Sequence, residues 1–225
     1  MHGPSVQVSL LLLVSTALST ANGKPLVSRT PTGQQIVSFT DENAVKFDNL
    51  DAGTGLGRYP NSLDSLGAYS LLYYDNLAVV NITADLAGLK PFSKPNVLGY
   101  DAESVSQGQQ IMTSEFDDSI TDYFNLKSFY FGCVLTDVGD VGPVPIPCSM
   151  SVIGFRDEER AASQIVTFQP DGSVSNLHAA SPLNFRYQDV DRVTFDVVYA
   201  DRELDFAVLF DNFEYDVVLK QGAQL

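Results

Sequence analysis

The chain has 225 residues, 44% of them hydrophobic and 18% charged, a balance that excludes a disordered protein and leaves room for a sizeable core. Its formal charge of −15 and pI of about 4.2 repel phosphate backbones, so nucleic acid and anionic membrane surfaces are poor partners. The same acidity favours solubility and cation binding.

The first element is an apolar run, Val8 to Leu18, followed by Ala21-Asn22-Gly23. This is the layout of a secretory signal peptide spanning residues 1–23. The run falls short of the roughly 20 apolar residues that cross a bilayer, so no membrane insertion is expected after cleavage. The expectation is an extracellular protein. Residues 24–35 read as a flexible arm, because Pro25, Pro31 and Gly33 interrupt any periodicity. A single β-domain is expected over 36–220.

Phe47-Asp48-Asn49-Leu50 is echoed near the other end by Phe210-Asp211-Asn212-Phe213. First and last strands of a sandwich commonly pair, which would bring Asp48 and Asp211 together. With backbone carbonyls and Asp51 or Asn212, they could ligate a structural calcium ion. The alternative is that each Asp-Asn turns the chain at a strand end. Gly53-Thr54-Gly55-Leu56-Gly57 lacks the Lys-Ser/Thr of a phosphate loop and reads as a plain loop.

The run from Tyr69 to Asn81 carries three tyrosines. Tyr69, Tyr73 and Tyr74 can form a stacking platform beside Asn76, since tyrosine offers an apolar face with a polar tip. The competing reading makes alternate members core and the rest ordinary sheet surface. Asn81-Ile82-Thr83 is a glycosylation sequon. Further on, 115–124 could make a turn or two of helix, and 126–135 reads as a strand.

Cys133 and Cys148 are the only cysteines, and in an exported chain an even pair is most simply one disulfide. Both fall on apolar strand faces, so the bridge is expected to pin a hairpin whose loop, 136–147, is a rim element or a variable excursion. Strands follow at 149–155, 163–169 and 183–187, with a turn at Pro170-Asp171-Gly172. Arg192–Tyr199 alternates, placing Val193, Phe195, Val197 and Tyr199 on one face, and Phe206, Val208 and Phe210 repeat the pattern. Many short strands with frequent turns predict an all-β, antiparallel β-sandwich of jelly-roll type.

The residues give little purchase to catalysis. Only His178 survives the expected cleavage, no Gly-x-Ser-x-Gly elbow occurs, and a His-rich zinc site is excluded. Glycoside hydrolysis needs two carboxylates roughly 5 to 9.5 Å apart. Asp117-Asp118, Asp157-Glu158-Glu159 and Glu203/Asp205 are candidates, although with 28 acidic residues such pairs are inevitable.

The segment Tyr69-Ser70-Leu71-Leu72-Tyr73-Tyr74-Asp75-Asn76-Leu77 resembles the Tyr-Gly-Gly-Leu-x-Trp-x-Asn-Phe element of a broad group of secreted fungal proteins. Members begin with a Phe-Asp-Asp/Asn-Leu strand and end with an Asp-Asn-Leu/Phe strand, as at 47–50 and 210–213. They also carry a Val-x-Gly-Phe/Tyr turn, here Val152-Ile153-Gly154-Phe155. The resemblance implies a jelly roll similar to carbohydrate-binding modules, without a confirmed activity. Here Ser70 and Leu71 replace the two glycines, Tyr74 replaces the Trp, and the chain has no Trp at all.

The expected function is therefore non-enzymatic binding of an extracellular glycan or cell-wall polysaccharide, through Tyr69, Tyr73, Tyr74 and Asn76. In a host-associated fungus this would cover an effector. The alternatives are a secreted polysaccharide hydrolase or lyase using a carboxylate pair, and a structural cell-wall protein. No cofactor is expected beyond the calcium ion considered above.

Overall fold

A computed structural model describes residues 26–30, 32–50, 65–82, 88–135, 144–181, 183, 186–200 and 206–225. The expected signal peptide, Asp51, the Gly53–Gly57 loop, Thr83, residues 136–143, Glu203 and Asp205 lie outside these.

The chain starts with β1 (Leu26–Arg29) and β2 (Gln35–Phe39), then β3 (Gly67–Tyr69), β4 (Leu72–Asp75) and β5 (Ala78–Asn81). Next come β6 (Leu89–Lys90), β7 (Asn96–Asp101), a short helix α1 (Ala102–Gln107) and β8 (Gln110–Thr113). The middle holds β9 (Thr121–Leu135), β10 (Val144–Pro145), β11 (Cys148–Arg156) and β12 (Glu159–Phe168). The remainder is β13 (Ser175–Asn176), β14 (His178–Ala179), β15 (Arg192–Ala200) and β16 (Phe206–Leu219).

These strands form two antiparallel sheets. In the first, β16 is central: β9 lies along one side, and β2 and β7 follow one another along the other. The second sheet runs β12-β11-β15-β8-β4-β3. A two-residue parallel pair, β6 with β13, is separate from both.

Alternation builds the core between the sheets. Phe129 and Phe210 of the first sheet meet Phe195 of the second, with ring centroids 5.6 and 5.2 Å apart, and Phe131 meets Phe168 of β12. The all-β, antiparallel sandwich predicted from the sequence is thus the architecture found. From Phe206 to Phe213, β16 is buried on both faces, which explains its unbroken apolar character. Gly99 of β7 shows how tight the fit is. A Cβ there would lie 2.9 Å from Leu209 Cδ2 and 3.0 Å from the Val208 carbonyl oxygen. Gly99→Ala should therefore cost about 1 to 3 kcal/mol by overpacking. Urea unfolding measures it, and an unchanged midpoint would contradict this packing.

Several expectations are corrected. Residues 26–29 and 35 are not part of a flexible arm: β1 pairs with β2, Leu26 facing Ser38. Gly33, at φ +89°, turns the hairpin that its neighbours had suggested was disorder. Residues 115–124 are not helical; Phe116–Asp118 turns into β9. In 183–187, Leu183, Arg186 and Tyr187 belong to no strand; Tyr187 is buried and donates its hydroxyl to the Val152 carbonyl (2.6 Å). The Cys133–Cys148 bond is present, with the two Cα atoms 6.2 Å apart. It does not pin a hairpin: β9 and β11 belong to different sheets, so the bond staples one layer to the other. Among the described residues, no helix is long and apolar enough to cross a membrane.

Candidate functional site

At one end of the sandwich, strand ends from both sheets surround an open cleft of about 500 Å³. The second sheet contributes Ser114 just after β8, Arg156 and Asp157 at the end of β11, and Asp191 just before β15. The first contributes Thr121 and Asp122 from β9 and Lys220 after β16. The turn carrying Glu115, Phe116 and Asp117 completes the wall.

Arg156 organises this cleft. Its Nη2 lies 3.7 Å from Asp122 Oδ1 and its Nε 3.5 Å from Asp157 Oδ2, while the guanidinium sits 5.2 Å from the Tyr123 ring centroid. Its Nη1 is enclosed and has no partner. Asp157 stands in the two-residue turn between β11 and β12, at positive φ with Glu158, and its backbone N–H donates to Asp191 Oδ2. Asp191 is buried, and its backbone carbonyl accepts from Ser114 N–H (2.8 Å) and Thr113 Oγ1 (2.9 Å). Gln34 Nε2 donates to Asp122 Oδ2 (3.0 Å), and Lys220 Nζ donates to the Ser119 carbonyl (2.7 Å). Burial, aided by the carboxylates of Asp189 and Asp122, holds the Tyr123 phenol above its ordinary pKa.

The expected tyrosine platform is not one surface. Ser70 and Leu71, at φ +48° and +70°, make the two-residue turn between β3 and β4. Tyr69 therefore faces Leu72, and Gly67 faces Tyr74, leaving Tyr73 on the opposite face with Ala68. Tyr74 is wholly buried, its ring packed edge-on to Phe47 and its hydroxyl 3.2 Å from that of Tyr215. Burial pushes both phenols well above their ordinary range. Tyr74 cannot stack on a ligand. Tyr69, half-buried beside Phe47, donates its hydroxyl to the Lys46 carbonyl (2.9 Å) and Asn49 Oδ1 (2.7 Å). Asn76, at φ +53°, turns the chain from β4 in one sheet to β5 in the other, and its Nδ2 donates to the Gln109 carbonyl (2.9 Å). Tyr73 packs on Phe116, a ring of the cleft wall, at 5.7 Å between centroids, without itself lining the cleft.

The two Phe-Asp-Asn segments do meet. Val45 and Phe213 form an antiparallel bridge, and Phe47 packs against Phe213. Asp211 is buried on the other side of this strand from the core. Its Oδ2 accepts from Ser93 N–H (2.6 Å), and its Oδ1 accepts from Ser93 Oγ (2.9 Å) and Asn212 N–H (2.8 Å). Asp48 Oδ1 accepts from Asn96 N–H (3.2 Å), and Asn96 Nδ2 reaches the Phe47 and Leu50 carbonyls. Asp48 and Asp211 thus fasten loops through hydrogen bonds. Among the described residues no group of three or more His, Cys, Asp or Glu side chains could complete a metal site around them. Asn81 is exposed at the end of β5, where its Nδ2 donates to Asn96 Oδ1 (2.9 Å).

Of the carboxylates singled out in the sequence, Asp117 and Asp157 line the cleft. Phe116, Asp122, Arg156, Asp191 and Lys220 were not anticipated, because their proximity depends on five separate strand ends converging.

No protein-family model matches the chain, and no curated protein matches it. Among solved structures it is similar to a DUF4465 family protein from Bacteroides caccae, at 12% identity and a TM-score of 0.40, over 66% of this chain and 80% of that one. A Nora virus structure shows 7% identity and a TM-score of 0.21, over 100% of this chain and 94% of that one. Likenesses at this level carry no argument about what the chain does.

Proposed function

We propose that this is an exported, non-enzymatic binding protein for an extracellular glycan or cell-wall polysaccharide, and that the end cleft is its contact site. The supporting observation is the composition of that cleft: carboxylates, hydroxyls and a guanidinium beside the Phe116–Tyr73 aromatic shoulder. A sugar ring offers a C–H face to an aromatic ring and an edge of hydroxyls to charged and polar groups, and this wall holds both partners. The contact site moves from the tyrosine cluster to Phe116, Tyr73 and the groups around Arg156. Export is supported by the apolar N-terminal run together with the formed disulfide.

A glycan array on the oxidised, secreted protein tests the reading. Phe116→Ala should weaken binding of the best glycan roughly tenfold, the order expected when one stacking ring is lost. Tyr69→Phe should leave it unchanged. Binding indifferent to Phe116→Ala would place the contact elsewhere. Release of shortened oligosaccharides from the same polymers would replace binding by hydrolysis.

A further inference from the structure

We propose that the outer face of the second sheet docks a second copy of this chain, about a two-fold axis that passes over Thr194. The two outer faces of the sandwich differ. That of the first sheet is roofed: a Cβ on Gly132 would lie 3.0 Å from both Leu89 and Leu177, and Ser93 closes over Asp211. That of the second keeps apolar groups at its surface. Cross-strand pairing sets Ile111, Thr194, Ile153 and Ser163 in one row across β8, β15, β11 and β12. Ile111 and Ile153 are half-buried, as is Phe155 in the row to one side. Ile165, in the row to the other side, is 62% exposed.

Charge on this face is arranged to meet its own copy. Arg192 and Asp196 stand two residues either side of Thr194 on β15, and so point the same way. The Arg192 guanidinium is held 4.7 Å from the Phe155 ring centroid, and the Asp196 carboxylate accepts from Gln109 Nε2 at 3.2 Å. Four residues of strand separate them by about 13 Å, too far to pair within one chain. Neither forms an ion pair among the described residues. Stacking two such sheets face to face with strands reversed lays each Arg192 against the partner's Asp196, and the isoleucines over the isoleucines. Asp75, at the β4 end of the row, stays with Ser65 Oγ and the Asn76 N–H, two strands or about 10 Å from Thr194. The net charge of −15 opposes association, but at about 150 mM salt the screening length is about 8 Å, so contacts across the face decide.

Sedimentation equilibrium of the oxidised, secreted protein at about 150 mM salt, from about 1 to about 200 μM, should show a reversible monomer–dimer equilibrium. Ile165→Lys, on the solvent side of β12, should weaken it at least about tenfold. Phe92→Ser, 59% exposed and on the other sheet's side, should leave it unchanged. Arg192→Asp and Asp196→Arg should each weaken it, and the two together should restore it, the signature of reciprocal pairs. Circular dichroism verifies that each variant is folded. A monomer at every concentration overturns the proposal, as does a dimer indifferent to Ile165→Lys or broken by Phe92→Ser. A folded double swap no tighter than the single reversals overturns it too. The association requires no glycan, so none of these results bears on the end cleft.

Discussion

Asp211→Ala is expected to lower the unfolding free energy by about 3 kcal/mol, because it strands donors inside the fold. The carboxylate is completely buried, and accepts from the backbone N–H groups of Ser93 and Asn212 and from the Ser93 hydroxyl. Alanine removes every one of these acceptors. The loss should also depend on pH. Burial, reinforced by the neighbouring Asp48 charge, raises the Asp211 pKa above its ordinary value, while the three hydrogen bonds pull the other way. An acid whose pKa is raised on folding binds its proton more tightly in the native state. Stability from this group therefore falls as pH rises from about 4 through the raised native value, then levels off. The alanine variant has no such titration, so the gap between it and the parent should be widest at low pH. Urea unfolding across that range measures the gap. A gap that is constant, or that grows with pH, would refute this account of Asp211.

Replacing Cys133 and Cys148 together with alanine should cost a comparable amount, by a different route. Closing a loop of 15 residues restricts the unfolded chain by about 3 kcal/mol in the chain-entropy model. For a domain of this size that corresponds to a fall in melting temperature of about 6–12 °C. Because the bond ties β9 to β11 across the core, its loss should also loosen the packing of one sheet on the other. Near-ultraviolet circular dichroism of the tyrosines would register that loosening. A double variant melting within about 1 °C of the parent would show that the staple is redundant.

Sequence pattern carried much of this fold and little of its site. Val193 and Phe195 alternate with polar neighbours, and period two is a local property, so β15 could be read directly. Which sheet a strand joins is not local. Cys133 and Cys148 are 15 residues apart and looked like the arms of one hairpin, yet β9 pairs with β16 and β11 with β12 and β15. The tyrosine cluster failed for a related reason. Simple parity puts Tyr69 with Tyr73, but a two-residue turn at Ser70-Leu71 resets the count and puts Tyr69 with Tyr74. Such a turn requires positive φ at both residues, a signal that Ser70 and Leu71 conceal. The cleft was hidden more deeply. Asp117 and Asp157 could be picked out as acidic, but nothing in their spacing says that Arg156, Asp191 and Lys220 join them.

The position of β16 has a consequence for how the molecule comes into being. A segment at the far end of the chain holds the middle of its sheet, touching β2 near the start, β7 and β9. A polypeptide halted before Phe206 would hold every strand of the second sheet but would leave β2, β7 and β9 without their shared neighbour, so the first sheet cannot settle early as a finished layer. Completion of that sheet must await synthesis of the last stretch, and its rate is governed by the search for contacts far apart in the chain.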